Sequence, residues 1–203
     1  MKTRLLLLTL TALCTGALVA AEAPKVGAPA PAFSLPDSNG KTHSLGDFKG
    51  KYVVLEWFNP GCPFVQKHYT SENMQKLQQE FTGKKVVWLT IDSSAEGKEG
   101  YLTPAEANKQ IADWKMKSTA LLLDPDGKVG HEYAATNTPH MYVVDPNGKL
   151  IYSGAIDDKP TPNPDDVQGA TNYVKVALEE AMAGKPVTTS SSRAYGCSIK
   201  YAH

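Results

Sequence analysis

Cysteine and arginine are both scarce in this sequence. Its 203 residues contain three cysteines, Cys14, Cys62 and Cys197, and its arginines are Arg4 and Arg193. Lysine plus arginine and aspartate plus glutamate number 21 each, with no basic stripe or basic amphipathic helix. This balance argues against nucleic acid and anionic membrane surfaces as partners, because both select for clustered positive charge.

The sequence also lacks the spacings that hold metals and nucleotides. Its five histidines show no paired spacing, and its cysteines are too far apart along the chain to suggest a zinc site. No glycine-rich phosphate loop is present. We therefore predict neither a metal site nor a cofactor.

Residues 1–23 have the pattern of a secretory signal peptide. Lys2 and Arg4 precede an apolar stretch, and small residues allow cleavage after Ala21 or Ala23. The stretch is too short and too poorly flanked to be a stable spanning helix, although an uncleaved anchor is the alternative. We predict a periplasmic or secreted protein without a stable membrane anchor.

The remaining chain is long enough for one domain, which we place at residues 24–184. Residues 185–203 are rich in serine and threonine and are predicted to form a flexible tail that carries Cys197. After export, Cys62 and Cys197 remain in a compartment where disulfides persist. The predicted redox chemistry therefore depends on these two thiols and on the one disulfide that they could form.

Apolar strand patterns alternate with helical patterns along this domain. The strand patterns lie at 52–55, 85–91, 120–123, 141–144 and 150–154. The helical patterns lie at 63–83, with a candidate interruption at Thr70 and Ser71, and at 104–117 and 167–184. The alternation predicts an α/β sandwich in which a central sheet has helices on both faces.

Cys62 stands between an apolar strand pattern and a helical pattern. Pro63 follows it at the position where helices favour proline. Backbone N–H groups and the positive end of a helix dipole stabilise a thiolate at such a junction, so Cys62 is a candidate redox nucleophile. The alternative is a small buried apolar residue that happens to precede a helix.

A second motif lies far along the chain, where Thr138 and Pro139 precede the apolar strand 141–144. A cysteine at a helix start, followed later by Thr-Pro before a strand, resembles the thioredoxin superfamily and its peroxiredoxin-like (redoxin, AhpC/TSA-type) branch. The resemblance covers residues 26–183. It implies a three-layer sandwich with a central mixed sheet, and a cis proline at Pro139 that packs beside Cys62.

The sequence departs from the thioredoxin pattern at Val65, where those reductases carry their second cysteine. Cys197 is then the candidate that could resolve a mixed disulfide at Cys62, and its Gly-Cys context resembles the tail of relatives that share the Cys-Pro-Phe-Val segment. A flexible tail can bring a distant thiol to a site at modest entropic cost. A static structural disulfide and a free tail thiol are the alternatives.

The sequence departs from the peroxiredoxin pattern as well. That family places Thr or Ser three residues before its cysteine and adds an arginine, whereas Asn59 stands here and Arg193 lies in the tail. Neither Arg193 nor Lys67 matches the family pattern. These departures argue against fast peroxide reduction.

Glu56 precedes Cys62 by six residues, the spacing at which thioredoxins keep a buried acid. Its strand context predicts an inward carboxyl with a raised pKa that can relay a proton during thiol exchange, and a solvated strand-end carboxylate is the alternative. Thr138 and Pro139 are predicted to form an edge that hydrogen-bonds an incoming peptide or tail.

The prediction is therefore a thiol-dependent oxidoreductase in which Cys62 attacks and Cys197 or an external thiol resolves. Its expected partners are protein or small-molecule disulfides, peroxides as a further class, and an external thiol as electron donor. One alternative is a slow thiol peroxidase with an antioxidant role. The other is a non-enzymatic thioredoxin-fold binding module with a structural Cys62–Cys197 bridge.

Overall fold

The computed structural model describes residues 23–202, so all but the last residue of the predicted signal peptide lies outside the described part. The strands are β1 (Ser34–Pro36), β2 (Thr42–Ser44), β3 (Val53–Trp57), β4 (Val87–Asp92), β5 (Ala120–Leu123), β6 (Asn137–Thr138), β7 (His140–Val144), β8 (Leu150–Gly154) and β9 (Cys197–Ser198). The helices are α1 (Pro63–Thr70), α2 (Asn73–Gly83), α3 (Pro104–Asp113), α4 (Lys128–Glu132) and α5 (Tyr173–Met182). Short 3-10 turns lie at Leu45–Phe48 and Pro164–Val167.

The central sheet has five strands in the order β5-β4-β3-β7-β8. β3, β4 and β5 are parallel neighbours, and helices make the crossovers between them. β7 pairs antiparallel with β3 and with β8, and the β7–β8 turn closes at Gly148, whose φ is 80°. A separate hairpin, β1–β2, lies outside this sheet. The predicted α/β architecture with a mixed central sheet is confirmed.

Alternate residues of β3 face the two layers of the core. Val54 packs with apolar side chains of α1, α2, α3 and α5. Leu55 and Trp57 pack on the opposite face with the β1 hairpin, with Val129 of α4 and with the tail residue Ile199. Helices therefore cover both faces of the sheet. Within residues 23–202, every helix is too short or too polar to span a membrane.

The first helical pattern is interrupted at Thr70 and Ser71, where α1 ends, and α2 is a separate helix since Glu72 adopts a φ of 58°. Two other helix boundaries differ from the sequence prediction. α3 ends at Asp113 instead of near residue 117, and Lys115 beyond it has a φ of 51°. α5 starts at Tyr173 instead of near residue 167. Gly169 has a φ of 82°, and Asn172 then caps the helix.

The C-terminal tail is docked on the domain, which differs from the expectation of a flexible segment. β9 pairs antiparallel with β6, and the amide of Ile199 donates to the carbonyl of Thr136 at 3.1 Å. The Tyr201 ring stacks on His131 with 4.1 Å between centroids. The amide of Ser192 donates to the carbonyl of Ser153 at 3.2 Å, so the tail has an attachment on each side of Cys197.

Candidate functional site

Cys62 is the N-cap residue of α1. Its backbone is extended, with φ −77° and ψ 120°, and Pro63 occupies the first turn as predicted. Its carbonyl accepts hydrogen bonds from the amides of Val65 and Gln66, which fixes the start of the helix. The Cys62 thiol donates to the carbonyl oxygen of Thr138 at 3.1 Å, so its side chain points toward the edge formed by Thr138 and Pro139.

The Thr138–Pro139 peptide bond is cis, which confirms the prediction. Proline is the residue at which a cis bond is accessible, and the bond here separates β6 from β7. This cis bond turns the carbonyl oxygen of Thr138 toward Cys62, 3.1 Å from its sulfur atom. Residues separated by 76 positions along the chain therefore meet at one sulfur atom.

The tail brings Cys197 to the same place. Cys197 is the partner of Thr138 in the β6–β9 pair, and the Asn137 side chain donates to the carbonyl of Gly196 at 2.9 Å. Both cysteines are free thiols in this structure. Burial and a hydrogen bond with the Cys62 side chain raise the pKa of Cys197 to about 12, and Cys197 packs against the core cluster that contains Cys62.

Gly196 makes this close approach possible. Its φ is 121°, and a Cβ atom at this position would lie 2.1 Å from the carbonyl oxygen of Thr138. Any side chain would therefore hold β9 away from β6. The glycine before Cys197 is required by the packing of the tail on the cis-proline edge.

Cys62 is almost fully buried, with 1% of its surface exposed. It lies in the core cluster that includes Val65 and Tyr69 of α1, while Cys197 is half-buried at its edge. The site therefore combines a hidden nucleophile with a second thiol that reaches solvent. A bulky reagent can contact Cys62 only when the tail moves.

Glu56 lies beneath this site with its carboxyl group fully buried, as predicted. Tyr69 donates to one oxygen at 2.9 Å, and Gln78, Trp88 and Thr90 donate to the other at 3.1, 2.8 and 3.2 Å. Burial raises the pKa of Glu56, although these hydrogen bonds lower it in part. The direction of the predicted pKa shift is confirmed, and the relay role stays a prediction.

The raised pKa of Glu56 predicts a specific loss of stability as the pH rises. Above about 4.5, the value for an unburied glutamate, the unfolded chain releases this proton while the folded protein keeps it. The free energy of unfolding therefore falls, by at most about 1.4 kcal/mol per pH unit, until the pH passes the folded pKa. Glu56→Gln should lack this component of the decline, measured by urea unfolding across the acidic to neutral range.

Other buried carboxyls titrate in the same range, so the comparison has to be made between variants. Burial raises the pKa of Asp92 to about 7 and that of Asp124 to about 6. Both groups remain in Glu56→Gln, and the difference from the wild type isolates Glu56. Glu96→Gln, at an exposed position, is the matched control and should keep the wild-type slope. An equal slope in Glu56→Gln and wild type would contradict the assignment.

Asn59 stands where peroxiredoxins have Thr or Ser, and its side chain forms hydrogen bonds with neighbouring backbone groups. Its side-chain oxygen accepts from the amide of Gly61 at 2.7 Å, and its side-chain nitrogen donates to the carbonyl of Glu99 at 3.0 Å. Asn59 is 1% exposed. It therefore shapes the turn before Cys62 and the loop beside it.

A group of polar residues near the tail received no role in the sequence analysis. Lys67, His68 and Asp157 are buried, and Tyr195 of the tail lies against them. Lys67 and His68 lie on the inward face of α1, where charged residues are rare. Their position on that face is the sequence feature that could have indicated a buried polar cluster. Within residues 23–202, no three His, Cys, Asp or Glu side chains are grouped to hold a metal ion.

The fold and these residues agree with a comparison against known families. The family model described as AhpC/TSA matches residues 26–153. This chain belongs to the AhpC/TSA family. The matched range includes Glu56, Cys62, Thr138 and Pro139, and it ends before the tail.

Curated relatives of this AhpC/TSA protein carry names of both redox types. Thioredoxin-like protein YneN of Bacillus subtilis is 30% identical over 66% of this chain and 74% of the relative. Thiol-disulfide oxidoreductase ResA of the same organism is 26% identical over 62% of this chain and 64% of the relative. Peroxiredoxin Bcp of Escherichia coli is 26% identical over 74% of this chain and 96% of the relative.

Solved structures of related sequence have the same fold as this protein. An uncharacterized conserved protein from Geobacillus kaustophilus has a TM-score of 0.77 at 27% identity, covering 87% of this chain and 92% of the other. The thioredoxin domain of a thiol-disulfide oxidoreductase from Bacteroides vulgatus has a TM-score of 0.51 at 26% identity, covering 71% and 96%. This AhpC/TSA protein is a thiol-dependent oxidoreductase with a thioredoxin-like fold.

Proposed function

We propose that Cys62 and Cys197 form an intramolecular redox pair that exchanges with disulfides. Cys62 attacks, Cys197 resolves, and the edge at Thr138 and Pro139 positions the incoming partner. Glu56 relays the proton that the reacting thiols release or take up. The observation that carries the proposal is the β6–β9 pair, which pairs Cys197 with Thr138, the residue whose carbonyl oxygen the Cys62 thiol contacts.

The exchange proceeds in two steps. The Cys62 thiolate attacks one sulfur of a substrate disulfide, that bond breaks, and the other substrate sulfur leaves as a thiolate. Cys197 then loses its proton and attacks Cys62, which forms the Cys62–Cys197 bond and releases the second substrate sulfur. The substrate gains two electrons, and an external thiol donor returns the oxidised pair to two thiols.

The expected substrates are protein or small-molecule disulfides. An extended peptide can take the place of β9 at the Thr138 edge, because β9 is itself an extended segment that hydrogen-bonds there. The name of the relative ResA supports this substrate class.

We also propose that the protein works in the periplasm or outside the cell. The basic start, apolar stretch and small residues within residues 1–23 support export. The mass of the protein recovered from its producing cells tests this directly. A chain beginning at Glu22 or Pro24 supports export with cleavage, and a retained Met1 contradicts the cleavage.

Linkage mapping tests the redox pair. After mild oxidation, peptide mass analysis of the full chain should show a Cys62–Cys197 link that a dithiol reverses, and the reduced protein should reduce insulin disulfides. Cys62→Ser should lose this activity, because it removes the attacking thiol and leaves Cys197 without an intramolecular partner within residues 23–202. Absence of the Cys62–Cys197 link would contradict the proposal. A link that resists the dithiol, without reductase activity, would indicate a binding module with a structural bridge.

Peroxide reduction is the second candidate function, favoured by the similarity to peroxiredoxin Bcp. In this reaction the Cys62 thiolate attacks one peroxide oxygen, the O–O bond breaks, and the other oxygen leaves as water or an alcohol. The resulting sulfenic acid condenses with a thiol to a disulfide and releases water, and a second thiol restores Cys62. The Asn59 side chain is used in hydrogen bonds with the backbone, which argues against fast peroxide reduction. Peroxide consumption in a thiol-coupled assay without insulin reduction would favour this function over disulfide exchange.

A further inference from the structure

The tail residue Tyr195 is held by a polar cluster, which we define as Lys67, His68 and Asp157. Its hydroxyl donates to one carboxylate oxygen of Asp157, and the His68 ring nitrogen Nε2 lies 3.3 Å from the hydroxyl oxygen. The ring of Tyr195 packs on Phe64 with 5.8 Å between centroids. Tyr195 precedes Cys197 by two residues, so the cluster lies directly beside the segment that carries the second thiol.

The direction of each hydrogen bond follows from the protonation of His68. Burial, and then the Lys67 charge, lower the pKa of His68 to about 3, so the ring is neutral. Asn73 donates to its Nδ1 at 2.9 Å, which leaves the hydrogen on Nε2. His68 therefore donates to the Tyr195 oxygen, and the Tyr195 hydroxyl is free to donate to Asp157.

The Asp157 carboxylate gives this contact its energetic importance. Asp157 is 2% exposed, and its second oxygen has no hydrogen-bond partner within the described structure. Lys67 lies 3.6 Å from that oxygen and gives its own hydrogen bond to the carbonyl of Lys159 at 2.7 Å. A buried carboxylate needs donors, and the Tyr195 hydroxyl is one that the docked tail supplies.

The cluster is also held in place independently of the tail. Lys67 and His68 lie on α1, five and six residues after Cys62. Asp157 follows β8, pairs with Asn172 in an isolated bridge and accepts from the amide of Lys159 at 2.9 Å. Two of the three cluster residues therefore lie on the helix that begins at the nucleophile, and the third is fixed by the connection after β8.

We propose that Tyr195 is a positioning residue for the redox reaction, whose hydroxyl, bound by Asp157 and His68, seats Cys197 on Cys62. This inference rests on the proposed function. Once Cys62 carries a mixed disulfide, the attached group occupies the space of the tail, and Cys197 has to dock again before it can attack. The rate of that second step then follows the fraction of molecules in which Tyr195 is bound.

Reaction of the reduced full chain with glutathione disulfide separates the two steps. Cys62 attacks the reagent, one glutathione leaves as a thiolate, and Cys62 keeps the other as an adduct. Cys197 then attacks Cys62, its proton goes to solvent, and the second glutathione leaves. Acid quenching and peptide mass analysis measure how fast the adduct becomes the Cys62–Cys197 disulfide.

Tyr195→Phe should slow this conversion about tenfold, because it removes a hydrogen bond to a buried charge while keeping the ring. Tyr173→Phe is the matched control and should convert at the wild-type rate. Tyr173 lines the same groove of about 590 Å³ as Asp157 and Tyr195, but it packs on Tyr152 with 6.5 Å between centroids.

A second readout excludes a merely structural role for Tyr195. In chains that also carry Cys197→Ser, Tyr195→Phe should raise the labelling rate of Cys62 by a bulky maleimide about tenfold, because the tail is released more often. Because a tenfold more frequent release corresponds to about 1.4 kcal/mol, the thermal midpoint should fall by only a few degrees. A lowered midpoint with an unchanged conversion rate would overturn the inference. A wild-type adduct that never converts would instead overturn the proposed redox pair.

Discussion

Replacing Gly196 by alanine is expected to slow formation of the Cys62–Cys197 disulfide by more than about a hundredfold. The residue has a φ of 121°, and the added Cβ would lie 2.1 Å from the Thr138 carbonyl oxygen. Both the backbone strain and the overlap act against the β6–β9 pair, whereas neither acts on the domain without its tail. The rate is measured by quenching the reduced chain at intervals after addition of glutathione disulfide.

Gly184→Ala provides the matched control for this substitution. Gly184 also has a positive φ, 71°, but a Cβ there would meet no atom within 4 Å. It should therefore bear the backbone strain of alanine without the overlap, and the disulfide should form at a nearly wild-type rate. If Gly196→Ala forms the disulfide as fast as Gly184→Ala, tail docking at Thr138 does not control the second step.

The residues that sequence reasoning located correctly are those whose signals are local. Cys62 before Pro63 marks a helix start in any fold, and the structure has Cys62 as the N-cap of α1. Thr138 before Pro139 indicated the cis bond through the family resemblance, and burial of Glu56 followed from its place in an apolar strand. The helix start and the buried carboxyl needed only a few neighbouring residues, whereas the cis bond depended on the resemblance that joins the two motifs.

The docking of the tail could not be read in the same way. β6 and β9 are two residues long, and such short pairs carry no periodic pattern. Their partners lie about sixty residues apart, so only the folded sheet brings them together. The serine-rich composition of the segment favoured an irregular tail, and the contacts of Tyr195 and Ile199 outweigh that composition.

The polar cluster was missed for a related reason. Lys67 and His68 lie on the inward face of α1, and lysine is rarely buried there without a partner. That partner, Asp157, lies 90 residues further along the chain, and nothing near Lys67 indicates it. Long-range pairing of buried charges becomes visible only when the sheet and its connections are known.

Cys197→Ser is expected to stop the reaction at the mixed disulfide. Cys62 keeps its place at the start of α1 and its contact with Thr138, so it can still attack a substrate disulfide. Release of the substrate then depends on an external thiol. A tethered thiol has an effective concentration of at least about a millimolar, so at micromolar external thiol the release should slow by more than about a hundredfold.

The trapped species gives this prediction a direct measurement. Cys197→Ser should accumulate one substrate sulfur per chain on Cys62, seen by peptide mass analysis, whereas Cys62→Ser should accumulate none. Because a serine hydroxyl is close in size to the thiol, β9 should remain docked and the thermal midpoint nearly unchanged. If Cys197→Ser turns over at the wild-type rate, an external thiol resolves Cys62, and Cys197 occupies the cis-proline edge without taking part in the exchange. Rapid release in Cys197→Ser that scales with the concentration of added thiol would identify that external resolution.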